Sequence, residues 1–159
     1  MKKFFSFSVF LLVNVLFSGQ SFAQGANIWT RKSDLGFYLP NSPPPRSEGV
    51  GFSVGNKGFV GLGYDGTNYL NDFWEYDPVA DLWTQKADFQ GGTRGGAVAF
   101  SIGSFGYVGT GFNVNGQFKD FWQYDTAANT WQAKSDFQGG LRKFAVGFSI
   151  NNKGYIGTG

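Results

Sequence analysis

The stretch Arg94–Leu141, RGGAVAFSIGSFGYVGTGFNVNGQFKDFWQYDTAANTWQAKSDFQGGL, decides the architecture, because the chain writes it more than once. Moved back by 48 residues it lies on Arg46–Thr93 without a gap, and 22 of the 48 aligned positions are identical. Moved forward by 48 it meets Arg142–Gly159, RKFAVGFSINNKGYIGTG, which follows the same template. A fixed period of this size marks a chain of supersecondary units, each burying its apolar face against the next.

Four short runs in each unit read as strands. The first is Val50–Val54, with Val98–Ile102 and Val146–Ile150. Large apolar residues alternate there with Gly, Ala or Ser, a period of two, and the small partners leave room for a second sheet, so both faces are expected to be buried. The second run is Gly58–Gly63, then Gly106–Gly111 and Gly154–Gly159. The third is Asp72–Asp77, then Asp120–Asp125, and the fourth Trp83–Ala87, then Trp131–Ser135. Asn and Gly between the first two runs suit tight hairpins. Asp77-Pro78 opens a turn between the last two, where Pro fixes φ and the carboxylate accepts backbone N–H groups. No apolar 3.6-residue period appears. Units of four short antiparallel strands predict an all-β fold of propeller blades.

The remaining segments divide around these units. Asn27–Asp34 (NIWTRKSD) matches Asn129–Asp136 (NTWQAKSD), so it reads as a fourth strand without the other three. The linker after it holds Pro43-Pro44-Pro45, which excludes helix and central strand. The expected division is 1–23 leader, 24–45 orphan strand and linker, 46–93 blade, 94–141 blade and 142–159 partial blade. In the leader, Lys2 and Lys3 precede the apolar run Phe4–Phe17, and Ser21-Phe22-Ala23 suits signal-peptidase cleavage before Gln24. The run is short for a membrane span of about 20 residues, so no stable membrane anchor is expected. The chain is expected to be exported: periplasmic, extracellular or at the cell surface.

Composition removes several function classes. Without Lys2 and Lys3, eleven basic side chains balance eleven acidic ones. That balance argues against nucleic acid as a partner, which needs a basic excess. The chain has no Cys and no His. Disulfides, thiol chemistry and the commonest general base and metal ligand are therefore lacking in this stretch, and no cofactor is expected. Gly61-Leu62-Gly63-Tyr64-Asp65-Gly66 matches G-x-G-x-x-G, but no helix follows to receive a phosphate.

The order of a Gly-rich second strand, a Tyr-Asp closing the third, a Trp six or seven residues on, then a loop and Arg resembles the kelch-repeat β-propeller family. It stands here as GYVGTG, FWQYD, TW and Arg142. The double Gly usual in that family is Gly-x-Gly here (Gly61/Gly63, Gly109/Gly111, Gly157/Gly159). The Gly-His and Trp-Asp dipeptides of WD40 propellers are absent. The resemblance implies a ring of about five to seven blades around a channel. It also implies a binding module for protein or glycan, or else part of a carbohydrate enzyme related to galactose oxidase or N-acetylneuraminate epimerase.

Two groups of residues are site candidates. Arg46, Arg94 and Arg142 open successive units, where guanidinium groups near the channel mouth would suit a carboxylate; the alternative is that they tie the frame through Asp72, Asp120 or backbone carbonyls. The segments joining the second and third strands differ most between units, and variable loops on a rigid frame carry function. They supply Tyr64, Asp65, Asn68 and Tyr69 in one unit, and Asn113, Asn115 and Gln117 in the next. The repeated Trp and Tyr positions suit either sugar stacking or packing between blades, with strict register favouring packing.

Two blades, part of a third and a lone fourth strand are fewer than a closed ring needs. The expectation is that residues 24–159 belong to a longer propeller and are marginally stable or aggregation-prone alone, with blade faces and edges open. Urea unfolding of residues 24–159 should then be shallow or accompanied by association. A single sharp transition of a soluble monomer would contradict it.

Overall fold

The computed structural model describes residues 21–25, 28–33 and 42–159. Among these residues every regular element is a strand. Two strands come first, β1 (Ser21–Gly25) and β2 (Ile28–Lys32), paired antiparallel. The first blade is β3 (Val50–Val54), β4 (Lys57–Gly61), β5 (Phe73–Asp77) and β6 (Leu82–Gln85), in spatial order β3-β4-β5-β6. The second blade follows as β7 (Val98–Ile102), β8 (Phe105–Gly109), the short hairpin β9 (Phe112–Asn113) and β10 (Gly116–Gln117), β11 (Phe121–Asp125) and β12 (Thr130–Lys134). Its four long strands form a sheet in the order β7-β8-β11-β12. A final hairpin joins β13 (Val146–Ile150) to β14 (Lys153–Gly157).

The fold class is thus all-β, a partial propeller of four-stranded antiparallel blades, as the period predicts. Most of the leader expected at 1–23 lies outside the described residues. Ser21–Ala23 falls within β1, so the expected cleavage point before Gln24 sits inside a paired strand. Of the orphan-strand segment, Asn27 and Asp34 also lie outside.

The blades meet through a contact that recurs with the period. Tyr124 and Trp131, fully or nearly fully buried, enter the first blade and pack edge-on against Phe73, with centroids 4.9 Å away in each case. Trp131 also meets Phe89 at 4.9 Å, and Phe59 completes the cluster. Edge-to-face geometry is favourable for rings with negative faces and positive edges. Backbone groups fix the depth: Trp131 Nε1 donates to Ala87 O at 2.9 Å and Ala87 N donates to Asn129 Oδ1 at 2.8 Å. Forty-eight residues earlier, Trp83 Nε1 donates to Ser33 O at 3.3 Å and Ser33 N donates to Asp81 Oδ1 at 2.9 Å. The residues just after β2 therefore meet the first blade as the end of the first blade meets the second. The repeated aromatics Tyr124 and Trp131 are core, while Trp29 on β2 is exposed.

The small residues act as expected, but burial is less uniform than the alternation implied. A Cβ at Gly106 would overlap the ring of Phe52 from the first blade, and one at Gly154 would overlap Phe100 from the second. The first-strand positions are covered on both faces only in β7, which lies between β3 and β13. Gly51 and Ser53 of β3 are exposed, as are Val146, Phe148 and Ile150 of β13. A strand one is buried on both sides only where a blade flanks it on both sides.

Charged groups sort by burial. The Arg94 side chain is fully buried and pairs with Asp120, which also accepts the Trp122 indole N–H at 2.8 Å. Removing Asp120 leaves a buried charge without its partner. Asp120→Ala should therefore lower unfolding free energy by about 3–5 kcal/mol. Asp136→Ala, which breaks the half-exposed pair with Lys119, should cost under about 1 kcal/mol. Urea titration of both variants checks the contrast, and equal losses would refute it.

The turn after β5 carries a pH signature. Lys57 and the N–H groups of Ala80 and Val79 bond the Asp77 carboxylate and hold its pKa at about 2, against 3.8. A depressed carboxylate pKa contributes stability that is complete above the unfolded pKa and lost as pH falls through the folded one. The stability difference between the parent chain and Asp77→Asn should accordingly be flat above about pH 5 and shrink towards pH 2. A pH series of urea midpoints reads it; a constant difference would count against this assignment.

Candidate functional site

The candidate site lies at the loop end of the blades, where the segments after β4 and β8 run beside the loop after β6. Its foundation is a clamp written once per unit. Arg46 donates to both oxygens of Asp72 at 2.6 Å and to Leu62 O at 3.0 Å. Arg94 bonds Asp120 Oδ1 at 2.5 Å, Oδ2 at 3.0 Å, Thr110 O at 3.0 Å and Gly91 O. Its guanidinium also lies over the rings of Phe118 and Phe89, 4.0 and 5.0 Å from their centroids. Arg142 reaches Thr158 O at 2.9 Å and Gly139 O at 2.5 Å. These groups spend their forks on the protein itself. The geometry thus follows the second of the two sequence readings, a tie through Asp72, Asp120 and carbonyls rather than an open anion pocket.

The clamps present the variable loops to one cleft of about 520 Å³, lined by Tyr64, Asn68, Tyr69, Thr93, Asn113 and Asn115 among others. Five of the seven loop candidates therefore converge, from two blades. Each is held locally. Tyr64 bridges to Ser47 and to Tyr69 in the backbone, and its hydroxyl donates to Gly66 O at 3.0 Å. The Tyr64 and Tyr69 rings meet at 5.1 Å. Asn113 Nδ2 donates to Thr93 O at 2.8 Å, tying the two loops, while its Oδ1 accepts Asn115 N at 2.8 Å. Burial pushes the Tyr69 phenol pKa up, and the neighbouring Glu48 and Tyr64 add to it.

Two candidates serve otherwise. Asp65 caps its own turn, accepting Thr67 N at 2.8 Å and Asn68 N at 2.7 Å, bonds that hold its pKa below the usual carboxylate value. Gln117 sits exposed on β10, opposite Phe112.

The sequence reading missed the residues just after each Arg. They read Ser47-Glu48, Gly95-Gly96 and Lys143-Phe144. All three third positions adopt positive φ, at 57°, 57° and 56°, so the backbone is common and only the side chains vary. Glu48 lies against Gly95 and close to Tyr69, and its Oε2 is buried without a hydrogen-bond partner. Their variation between the three units, Ser-Glu, Gly-Gly and Lys-Phe, is the signal in the sequence that marks them.

A second cavity, of about 550 Å³, opens beside Phe100, Tyr107, Phe121 and Phe137. Shifted by 48 these are Phe52, Phe59, Phe73 and Phe89, which surround or adjoin Tyr124 and Trp131 in the first interface. By repeat position it corresponds to the socket that receives Tyr124 and Trp131 in the first interface.

Comparison with known proteins agrees with the geometry. The family model "Kelch motif" matches residues 63–90. That stretch spans β5 and β6 of the first blade, so the first blade carries a kelch motif. The solved structure titled "Structure of YjhT", a kelch-type propeller, is similar with 30% identity and a TM-score of 0.62 over 74% of this chain. The match spans 35% of that structure's chain. No curated protein matches. Among the described residues no group of His, Cys, Asp and Glu has metal-binding geometry, and no helix is long and apolar enough to cross a membrane.

Proposed function

We propose that the chain is an exported kelch propeller segment that binds glycan through the cleft between its first two blades. The observation that carries this reading is the cleft's chemistry: two tyrosines and three asparagines, with no charged side chain in its lining. Amides and hydroxyls both donate and accept, which matches the hydroxyl groups of a sugar. The tyrosine rings offer an apolar face for its C–H surface. The frame supports this economy, because the repeated arginines and buried aromatics are occupied in packing, leaving recognition to residues that differ between blades. A protein partner remains the other occupant for such a face.

A second reading, part of a kelch-type carbohydrate enzyme such as an N-acetylneuraminate epimerase, draws on one feature. Glu48 keeps a carboxylate oxygen without a partner beside Tyr69, and unpartnered buried acids are costly features often kept for function. On this reading, the full-length protein accelerates exchange between the anomers of N-acetylneuraminate, read by NMR; an unchanged rate removes it.

For the binding reading, the parent chain should retain members of an immobilised oligosaccharide panel. Tyr69→Ala should weaken that binding about tenfold, the worth of one lost ring contact with its burial. Asn113→Ala should weaken it less, by freeing the Thr93 loop. Retention of no oligosaccharide, or undiminished binding by both variants, would overturn the proposal.

A further inference from the structure

The cleft is one end of a longer feature. From Tyr64 the rings continue to Tyr69, then to Phe112 at 5.4 Å, then to Phe144 at 5.5 Å. Tyr64 and Tyr69 belong to the first blade, Phe112 to the second and Phe144 to the third unit. The row therefore crosses three repeats on one end of the molecule. Neighbouring rings meet tilted or edge-on, at 48°, 70° and 62°, so the row is a continuous apolar ridge.

The floor under this row explains why the second unit alone reads Arg-Gly-Gly. A Cβ on Gly95 would strike Glu48 and crowd Tyr69, and one on Gly96 would crowd both Phe112 and Phe144. Backbone bonds run along the same line: Gly96 N donates to Glu48 O at 3.0 Å, and Phe144 N donates to Gly96 O at 2.8 Å. The glycine pair lets side chains from the blades on either side meet over the middle one.

The row has an electrical direction. At the Phe112–Phe144 end sits the Lys143 ammonium, 4.5 Å from the Phe112 centroid and 5.8 Å from that of Phe144. Among the described residues Lys143, like Lys134 and Lys153, makes no ion pair, whereas Lys57, Lys86 and Lys119 each pair with a carboxylate. At the Tyr64 end stands the Asp65 carboxylate, while Glu48 lies mid-row against Gly95 and Tyr69. The corresponding positions in the other units are Ser47 and Gly95, so no repeat constraint places a lysine there.

We propose that this row is an extended oligosaccharide track, and that Lys143 selects a sugar bearing an anionic group for its Phe112–Phe144 end. The assignment rests on the glycan reading of the cleft. It adds the length of the ligand, its orientation and its charge: the row gives successive sugars an apolar edge to lie along, the asparagines hydrogen-bond hydroxyls at the Tyr64 end, and the ammonium meets an anionic substituent at the other.

The test is titration calorimetry of the full chain with three trisaccharides: a neutral one, cellotriose; a carboxylate one, trigalacturonate; and a sulfated one. The parent should bind an anionic trisaccharide about tenfold more tightly than cellotriose, the worth of one charge-assisted hydrogen bond. Lys143→Gln should erase that preference. The preference should also shrink as salt rises, because the site is open to solvent. The carboxylate and sulfate arms tell which anion is taken. Phe112→Ala should weaken all three. Equal binding of neutral and anionic sugars by the parent, or a preference that survives in Lys143→Gln, overturns the charge assignment and leaves the cleft reading standing. Affinity for a monosaccharide equal to that for the trisaccharide overturns the extended track. No binding of any sugar overturns both.

Discussion

The arginine clamp at the start of each unit is the constraint on which the loop end depends. A propeller blade is a twisted sheet whose strand ends must be held against one another at the loop end. Arg94 joins the loop before β7, the end of β8 through Thr110 O, and the entry to β11 through Asp120. One side chain thus fixes three chain segments within hydrogen-bond reach. Arginine suits this task better than lysine: its planar fork engages both carboxylate oxygens while another donor reaches a carbonyl, and its faces lie against Phe118 and Phe89. Burying that charge is costly in itself. The cost is met by pairing and hydrogen bonding, so the clamp specifies the loop geometry more than it adds net stability.

With the strand ends held, packing between blades sets the spacing of the loops. The Tyr–Trp pair of one blade enters the Phe cluster of the preceding one, and glycine on the second strand admits its neighbour's phenylalanine. The same residues recur at the same register, so successive blades meet in one way. That regularity is what allows two loops of different sequence, 64–71 and 112–119, to face each other across a cleft whose walls neither could hold alone. The Asn113 to Thr93 bond then closes the wall from the loop side.

Most of the fold was legible in the sequence because its determinants repeat. Period-two alternation gave the strands, the 48-residue register gave the blade limits, and Gly106 and Tyr124 could be read as packing residues from their recurrence. The uniform burial expected of every first strand was not legible, because it depends on what lies beside a blade: β7 is flanked on both sides and β13 on one. Of the site, the loops could be located by their variation, yet which of their residues face inward could not. Asp65 looks as available as Asn68 in sequence, but it is consumed by its own turn. The arginines posed the reverse difficulty, since a fork suited to a ligand carboxylate is equally suited to Asp72 or Asp120 twenty-six residues away.

Glu48, Gly96 and Phe144 show how a repeat protein separates framework from recognition at a single position. All three take the same left-handed backbone, which is unstrained only for glycine. Glu48 and Phe144 bear a conformational cost of order 1 kcal/mol that the frame does not require, since glycine stands at the equivalent place in the middle unit. A residue kept at such a cost, in a unit where a cheaper one fits, contributes something other than the fold. Here it contributes the two side chains that lean over the glycine pair from opposite blades, one acidic and one aromatic, and so makes the mouth of the repeat array asymmetric although its backbone is periodic.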